Sequence, residues 1–508
     1  MPLRVDEEEH FWASTFLDSI PLNKILLESR SLTISKRDLL YLSFFLKEFC
    51  YGSRTTIDVP KRALIICSNS PIDYACYLAC VIAGISVIPL SPVTFREQRE
   101  KVISSLGPTI VVTPDCQKDF AEQDSPFLLR HSDIFGILHK VDGNFDKKPL
   151  WRINLTAEVY VIATSGSTGS PKFVPICYKN VFEWQRVSLP VLRLSDKSRF
   201  SGTYPLFFDA SAMFIFGCLA SGCTLVVAEK EEILLPLKFA ERSKLTHWAS
   251  VPSILNYSGS VEEDVPKIHG VEVVALGGEV VSANHSIELS ARFDGADIVD
   301  LYGPSETTIF ILTKRFSQRE LESLINFTSL PLDPPACQWK LVSDSTEENV
   351  GELLLSGDQV FEKYTNTTGP VANPKDGWYS TGDIFRFENG LLHCLGRIDN
   401  EIKLRGQRVT IEMLETILSN ISGIKSAACI ISNVAETDID VIYTGKECSW
   451  IEVSRELTTK LPLGIRLGRL ERVSSIPQSP NGKIDRRALK EYFSRSYKER
   501  NKPYGSTQ

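Results

Sequence analysis

The sequence predicts an α/β protein that ends in a smaller α+β domain, and three observations carry the expectation. Between Ser31 and Leu330, short β-branched runs alternate with segments of helical period. Past Pro331, Val350-Gly351-Glu352-Leu353-Leu354-Leu355-Ser356-Gly357 and Gly390-Leu391-Leu392-His393-Cys394-Leu395-Gly396 read as antiparallel strands joined by polar turns, a small β-rich unit. Past Arg397-Ile398-Asp399-Asn400, a fresh alternation of helix and strand runs on to the neighbourhood of Tyr492, long enough for a compact domain. The expected divisions are 1–397, a large N-terminal domain with its β-rich end over 331–397; 398–493, a small C-terminal domain; and 494–508, a polar and basic tail.

Taken in order, Ala63–Cys67, Thr109–Val112, Tyr160–Ala163, Thr224–Ala228 and Val271–Ala275 each read as a buried strand. Asn180–Leu189, Ala210–Leu219 and Pro236–Ser243 read as helices between them, the last opening on the proline that a first helical turn tolerates. Ile72–Leu90 is apolar enough to raise a membrane span. Asp73 near its start, Gly84 inside it and Pro89 near its end better suit a helix, a turn and a short buried strand.

Composition excludes several functions. With 508 residues, 43% apolar and 23% charged, the chain exceeds one ordinary domain and has a large core available. A net charge of -7 with scattered Lys and Arg gives no footprint for nucleic acid. The 12 cysteines include no pair of CxxC motifs, so reduced, mostly buried thiols in a cytoplasmic chain are expected rather than structural zinc. The acidic start, Met1 to Glu9, does not suit a signal or transit peptide, and Ser506-Thr507-Gln508 is no peroxisomal signal.

The chemistry concentrates in Ala163-Thr164-Ser165-Gly166-Ser167-Thr168-Gly169-Ser170-Pro171-Lys172, which follows the apolar run Val159–Ile162. Glycines admit a polyphosphate close to the backbone, N–H groups and hydroxyls donate to its oxygens, and a lysine adds charge. The NTPase P-loop needs Ser or Thr directly after its lysine, and here Phe173 follows Lys172. Further stretches join it: Phe208-Asp209-Ala210-Ser211, Ala275-Leu276-Gly277-Gly278-Glu279, Leu301-Tyr302-Gly303-Pro304-Ser305-Glu306-Thr307-Thr308, Tyr379-Ser380-Thr381-Gly382-Asp383, Gly396-Arg397-Ile398-Asp399 with Lys403-Leu404-Arg405-Gly406, and Pro480-Asn481-Gly482-Lys483-Ile484-Asp485.

In this order the set closely resembles the adenylate-forming superfamily of acyl-CoA synthetases, luciferases and nonribosomal peptide synthetase adenylation domains, and within it the stand-alone amino-acid-activating members. The resemblance covers roughly residues 30–490. It implies a large domain of two α/β subdomains plus the β-rich unit, followed by a mobile C-terminal domain. It also implies two half-reactions: a carboxylate attacks the α-phosphate of ATP to give an acyl-adenylate and pyrophosphate, then a phosphopantetheine thiol takes the acyl group.

By the same resemblance, Thr164, Ser165, Gly166, Ser167, Thr168, Gly169 and Lys172 would hold the leaving phosphates. Tyr302 would lie against adenine, Gly277 and Gly278 would let the backbone pass beside it, and Glu279, Gly303, Ser305 and Thr307 would complete that side. Glu306 would bind Mg²⁺, Asp383 the ribose hydroxyls, and Arg397 the ribose or phosphate side. Lys483 would place the substrate carboxylate against the α-phosphate and neutralise developing charge. Asp399 sits at the hinge position and Gly406 near the pantetheine path.

Asp209 reads two ways: an N-cap that opens a helix, or, by resemblance, the partner of a substrate ammonium group. The pocket positions carried over by motif are Ala210, Met213, Ala249, Val274, Leu276, Leu301, Ile309 and Phe310, all uncharged, so a small amino acid such as alanine, glycine or β-alanine is expected. No carrier module follows residue 490, so the expected acceptor is a carrier protein in trans with a phosphopantetheine arm, or CoA. An acyl- or aryl-acid CoA ligase and a non-catalytic nucleotide-binding scaffold remain as alternatives. Phe173, Tyr178, Lys363, Thr410 and Leu461-Pro462-Leu463-Gly464 depart from the family pattern beside the chemistry.

Overall fold

A computed structural model describes residues 19–500 except 53–55, 58–59, 93, 95, 118–126, 148–151, 166–170, 234, 253, 256–266, 325–328, 344–348, 366–375, 399–400, 405–406, 432–437, 461–465 and 480–483. The described residues form two mainly parallel sheets, a four-stranded antiparallel sheet and a three-stranded C-terminal sheet, with two short two-stranded pairs. The first parallel sheet runs Pro171–Cys177, Glu158–Ser165, Ser86–Leu90, Arg62–Ile66, Ile110–Thr113, Phe127–Arg130, parallel except at its first pair. The second runs Leu312–Phe316, Asp297–Tyr302, Val273–Gly277, His247–Ser250, Arg199–Gly202, Thr224–Val226, Ile25–Glu28, Thr33–Ser35, with only its two outer pairs antiparallel. This is the α/β class that the alternation predicts.

The apolar stretch after Ser70 shows how sequence becomes structure. Ser70 caps the helix Pro71–Ala83, Pro71 takes the first turn, and Asp73 closes the capping box. Gly84 ends the helix at φ 71°, a left-handed turn suited to glycine, and the strand Ser86–Leu90 follows. Every residue of the helix is buried, because it packs against the helix Lys36–Tyr51 and the strands Arg62–Ile66 and Ser86–Leu90. No helix among the described residues is long and apolar enough to cross a membrane.

The four-stranded sheet runs Gln338–Val342, Val350–Ser356, Tyr379–Glu388, Leu391–Arg397, and its last two strands deliver Asp383 and Arg397 directly opposite each other. After residue 411 the apolar side chains gather into clusters of their own, around Leu414, Val441 and Leu457 on one sheet face and Ala428, Ile442 and Phe493 on the other. Glu415 is buried there, accepting from Cys429 N–H at 2.8 Å and from Arg486 Nη2 at 2.7 Å. The last helix spans Arg486–Arg500, so helix continues past Ser494, where the polar composition suggested a tail. Leu489 and Phe493, four apart, hold it onto the sheet.

His247 gives the fold a pH dependence. It is 1% exposed, with Nε2 2.9 Å from Leu192 O and Nδ1 2.8 Å from Thr246 Oγ1, and burial pushes its pKa down to about 4. A histidine depressed on folding contributes stability above its unfolded pKa and loses it as pH falls toward the folded one. Denaturant titrations between pH 7 and 4 should therefore show a fall on the order of 3 kcal/mol from this residue. The slope should flatten in His247→Gln.

Candidate active site

The phosphate-loop sequence is the tip of a hairpin. Glu158–Ser165 runs three residues past Ile162 and pairs antiparallel with Pro171–Cys177, placing Thr164 opposite Lys172. Thr164 and Ser165 thus belong to the strand rather than the loop, because pairing with Pro171–Cys177 extends it. Gly166, Ser167, Thr168 and Gly169 lie outside the described residues. Phe173, one of the departures, is core: it is 3% exposed, and its carbonyl accepts from Thr365 N–H at 3.0 Å. Tyr178, another, is buried, with its hydroxyl donating to Val81 O at 2.9 Å.

That pairing brings Tyr364 beside the hairpin, with Lys172 Nζ 5.3 Å from its ring centroid. The Tyr364 hydroxyl donates to Glu306 Oε1 at 2.6 Å, and Phe361 N–H donates to Glu306 O at 2.8 Å. Burial first, then the charge of Glu306, raises the hydroxyls of Tyr364 and Tyr379 well above the usual phenol range. Glu306 therefore sits between two phenol hydroxyls, with the Tyr364 ring between it and Lys172.

Glu306 lies in the short turn Ser305–Thr307, which is unusually constrained. Gly303 has no room for a side chain, since a Cβ would stand 2.8 Å from Ile309 O and Phe310 Cα. Thr308 and Ile309 follow at φ 59° and 66°, left-handed values that cost β-branched residues about 1–3 kcal/mol each. Thr307 is fully buried, and its hydroxyl donates to Pro304 O at 2.9 Å, which shapes the turn. Gln359, 2% exposed, donates through Nε2 to Phe310 O at 2.6 Å and also lies 3.1 Å from Thr307 O and 3.3 Å from Thr308 O.

The side chains of Tyr302, Asp383 and Arg397 meet. The Tyr302 hydroxyl donates to Asp383 Oδ2 at 2.5 Å, Arg397 Nη1 reaches Oδ1 at 3.3 Å, and the Tyr302 ring stands edge-on to Phe385 at 5.0 Å. Burial and the Asp383 charge hold the Tyr302 hydroxyl protonated, well above its usual range. Gly382 is left-handed at φ 71°, and a Cβ there would come within 3.0 Å of Arg397 Nη2.

Asp209 is 5% exposed and opens the turn Asp209–Ser211, while Ser211 precedes the helix Ala212–Ser221. The cap of that helix is Ser211, two residues on from Asp209. Burial is the main cause raising the hydroxyls of Tyr77, Tyr160 and Tyr204, and the charge of Asp209 is a further cause at all three. Ala210, Met213, Ala249, Leu301, Ile309 and Phe310 share one apolar cluster with these tyrosines.

Val274 and Leu276 do not. They face the opposite side of the sheet, in the cluster of Trp248 and Ile298. Ala275 joins the pocket-side cluster, and by the two-residue period of the strand Gly277 shares that face. On this strand it is Ala275 and Gly277, one residue from the expected pair, that share the face of Ala210 and Met213. A Cβ on Gly277 would sit 2.5 Å from Leu301 O and 3.0 Å from Phe310 Cε1. Gly277→Ala is expected to lower substrate turnover sharply and cost about 1–3 kcal/mol by overpacking. Val274→Ala should cost stability alone and leave the substrate profile unchanged, which a side-by-side panel on the two variants checks.

Gly278, at φ 84°, is exposed beside Glu279, whose charge bears on the Tyr204 hydroxyl. Lys483 and Asp399 lie outside the described residues, but the flanks of Lys483 are fixed. Gln478 bridges to Ile484, Asp485 N–H donates to Pro477 O at 2.9 Å, and Asp485 Oδ1 accepts from Ala488 N–H at 2.9 Å to start the last helix. Tyr364 and Gln359 lie outside the quoted motifs, and Ala275 and Tyr379, though they open two of them, were assigned no role there.

The sequence profile described as AMP-binding enzyme matches residues 57–365. The chain belongs to that family. Among curated relatives, the D-alanine--D-alanyl carrier protein ligase of Staphylococcus aureus (strain JH9) is 28% identical over 458 residues, covering 85% of this chain and 90% of the relative. Among solved structures, the anthranilate CoA ligase AuaEII in complex with anthranoyl-AMP superposes with a TM-score of 0.81 at 15% identity, covering 97% of this chain and 99% of that one. O-succinylbenzoate coenzyme A synthetase (MenE) from Bacillus subtilis, in complex with ATP and magnesium ion, gives a TM-score of 0.74 at 19% identity, covering 94% and 99%. These structural likenesses establish the fold of the family.

Proposed function

We propose that the chain is an adenylate-forming ligase that activates a small amino acid, D-alanine first among candidates, and passes it to the phosphopantetheine thiol of a separate carrier protein. The observation that carries the reading is Asp209, a carboxylate 5% exposed beside a cluster of uncharged walls. A carboxylate at this place can pair with a substrate ammonium group, which an amino acid supplies and a fatty or simple aryl acid does not. The relatives' D-alanyl carrier ligase activity points the same way.

In the first half-reaction, a substrate carboxylate oxygen bonds to the α-phosphorus of ATP, the bond from that phosphorus to the bridging oxygen breaks, and pyrophosphate leaves. Lys172 and the backbone of the hairpin tip meet the leaving charge, and Lys483 holds the attacking carboxylate against the α-phosphate. Tyr302 and Asp383 hold the adenosine. In the second half-reaction, the carrier thiol, its proton lost to solvent, adds to the acyl carbonyl and AMP departs. We place the division near Ile398 and assign Asp399 as the hinge between the two poses.

Glu306 fits Mg²⁺. It offers hard carboxylate oxygens beside Lys172, and no group of three His, Cys, Asp or Glu is gathered among the described residues, which suits a cation completed by phosphate oxygens and water. When bound, the ion neutralises phosphate charge. The free state of the 12 cysteines suits a reducing cytoplasm. Amino-acid-dependent ATP–pyrophosphate exchange tests the function, and transfer to a pantetheinylated carrier or to free CoA separates the carrier reading from a CoA ligase. Faster transfer to CoA would reverse the assignment of acceptor.

A further inference from the structure

Two buried side-chain amides tie together the three segments that carry the proposed chemistry. Asn180, 1% exposed, stands just after the strand that bears Lys172, and its Oδ1 accepts from Cys177 N–H at 2.8 Å. Its Nδ2 donates to Asp358 O at 2.7 Å and Val360 O at 3.2 Å, gripping the backbone on either side of Gln359. Gln359 in turn spends its own amide on the carbonyls of Thr307, Thr308 and Phe310, and Thr308 Oγ1 returns a bond to Gln359 O at 2.7 Å. The turn so held bears Glu306 at one end and the walls Ile309 and Phe310 at the other, with two consecutive β-branched residues at positive φ between them.

We infer that Gln359 is a positioning residue for adenylation, and that with Asn180 it fixes the metal-binding carboxylate and the pocket wall in one register with Lys172. The inference rests on the function proposed above. A left-handed Thr308–Ile309 pair relaxes unless something outside the turn holds it, and within the described residues the Gln359 amide is what reaches three of its carbonyls. Releasing it moves Glu306 and Phe310 together, so metal use and side-chain selection change as one.

Gln359→Met keeps the length and apolar stem while removing the donors. In the full chain it should lower kcat/KM for the amino acid by about 100-fold, the scale of a misplacement near 1 Å. The Mg²⁺ requirement should rise, and discrimination between alanine and larger aliphatic amino acids should narrow. Amide hydrogen exchange at Thr307–Phe310 should speed up. Asn180→Asp, which keeps the acceptor for Cys177 N–H and loses the donors, should shift all four readouts in the same direction by less, and it serves where Gln359→Met folds poorly. Activity that falls only with the folded fraction, with Mg²⁺ dependence and substrate profile unchanged, would overturn the inference, as would wild-type protection of Thr307–Phe310 in both variants. Exchange with no acid at all in the wild type would instead defeat the proposed activity, leaving the hydrogen-exchange comparison to judge the clamp.

Discussion

Lys483→Ala should lower amino-acid-dependent pyrophosphate exchange by about 10²–10³-fold while ATP still binds, the loss expected when one group stabilising developing charge is removed. On the proposed function, Tyr302, Asp383 and the hairpin of Lys172 supply the ground-state nucleotide contacts, so the affinity for ATP is expected not to depend on Lys483. On either side of Lys483 in the chain, Gln478 bridges to Ile484 and Arg486 pairs with buried Glu415. Lys483→Ala is expected to leave stability unchanged within about 0.5 kcal/mol. Parallel measurements of exchange and equilibrium ATP binding check this; unchanged exchange would remove Lys483 from the mechanism.

The second large effect is expected at Asp209. Asp209→Asn keeps the size of the side chain and removes its charge, so a bound ammonium group loses its charge-assisted partner at a cost of about 2–5 kcal/mol. The loss should fall on amino acids alone. Acids of similar shape without the amino group should gain relative to them, because the buried charge that excludes them is gone. Competition assays with paired amino and desamino acids read this directly, and an equal loss for both members of each pair would assign Asp209 to structure.

The parts of this molecule that sequence exposed are those where local chemistry and global packing agree. Ser70, Pro71, Asp73 and Gly84 write the start and stop of one helix in four residues, and the structure follows them. Tyr302, Asp383 and Arg397 meet because each sits on a strand whose partner is fixed by hydrogen bonding, Tyr302 and Arg397 at strand ends and Asp383 opposite Arg397. Which face of Val273-Val274-Ala275-Leu276 joins the cluster of Ala210 and Met213 was not legible, for a reason visible in the stretch itself. This central strand is buried on both faces, so its hydrophobicity does not alternate and nothing local sets which side faces the substrate. Gln359 was invisible because its partners lie about fifty positions upstream and an isolated glutamine carries no motif. The last helix outran its apolar signal, since only Leu489 and Phe493 need burial to hold it.

The most direct test of the account is ATP–pyrophosphate exchange by the purified full chain across both hands of alanine, glycine, β-alanine, larger aliphatic amino acids, and fatty and aryl acids. The account predicts exchange with a small amino acid, D-alanine foremost, and little with acids that lack an amino group. Exchange confined to acids without an amino group would contradict the role of Asp209 and move the chain to the CoA ligases. Silence across the whole panel with ATP still bound would contradict catalysis itself and leave a nucleotide-binding scaffold.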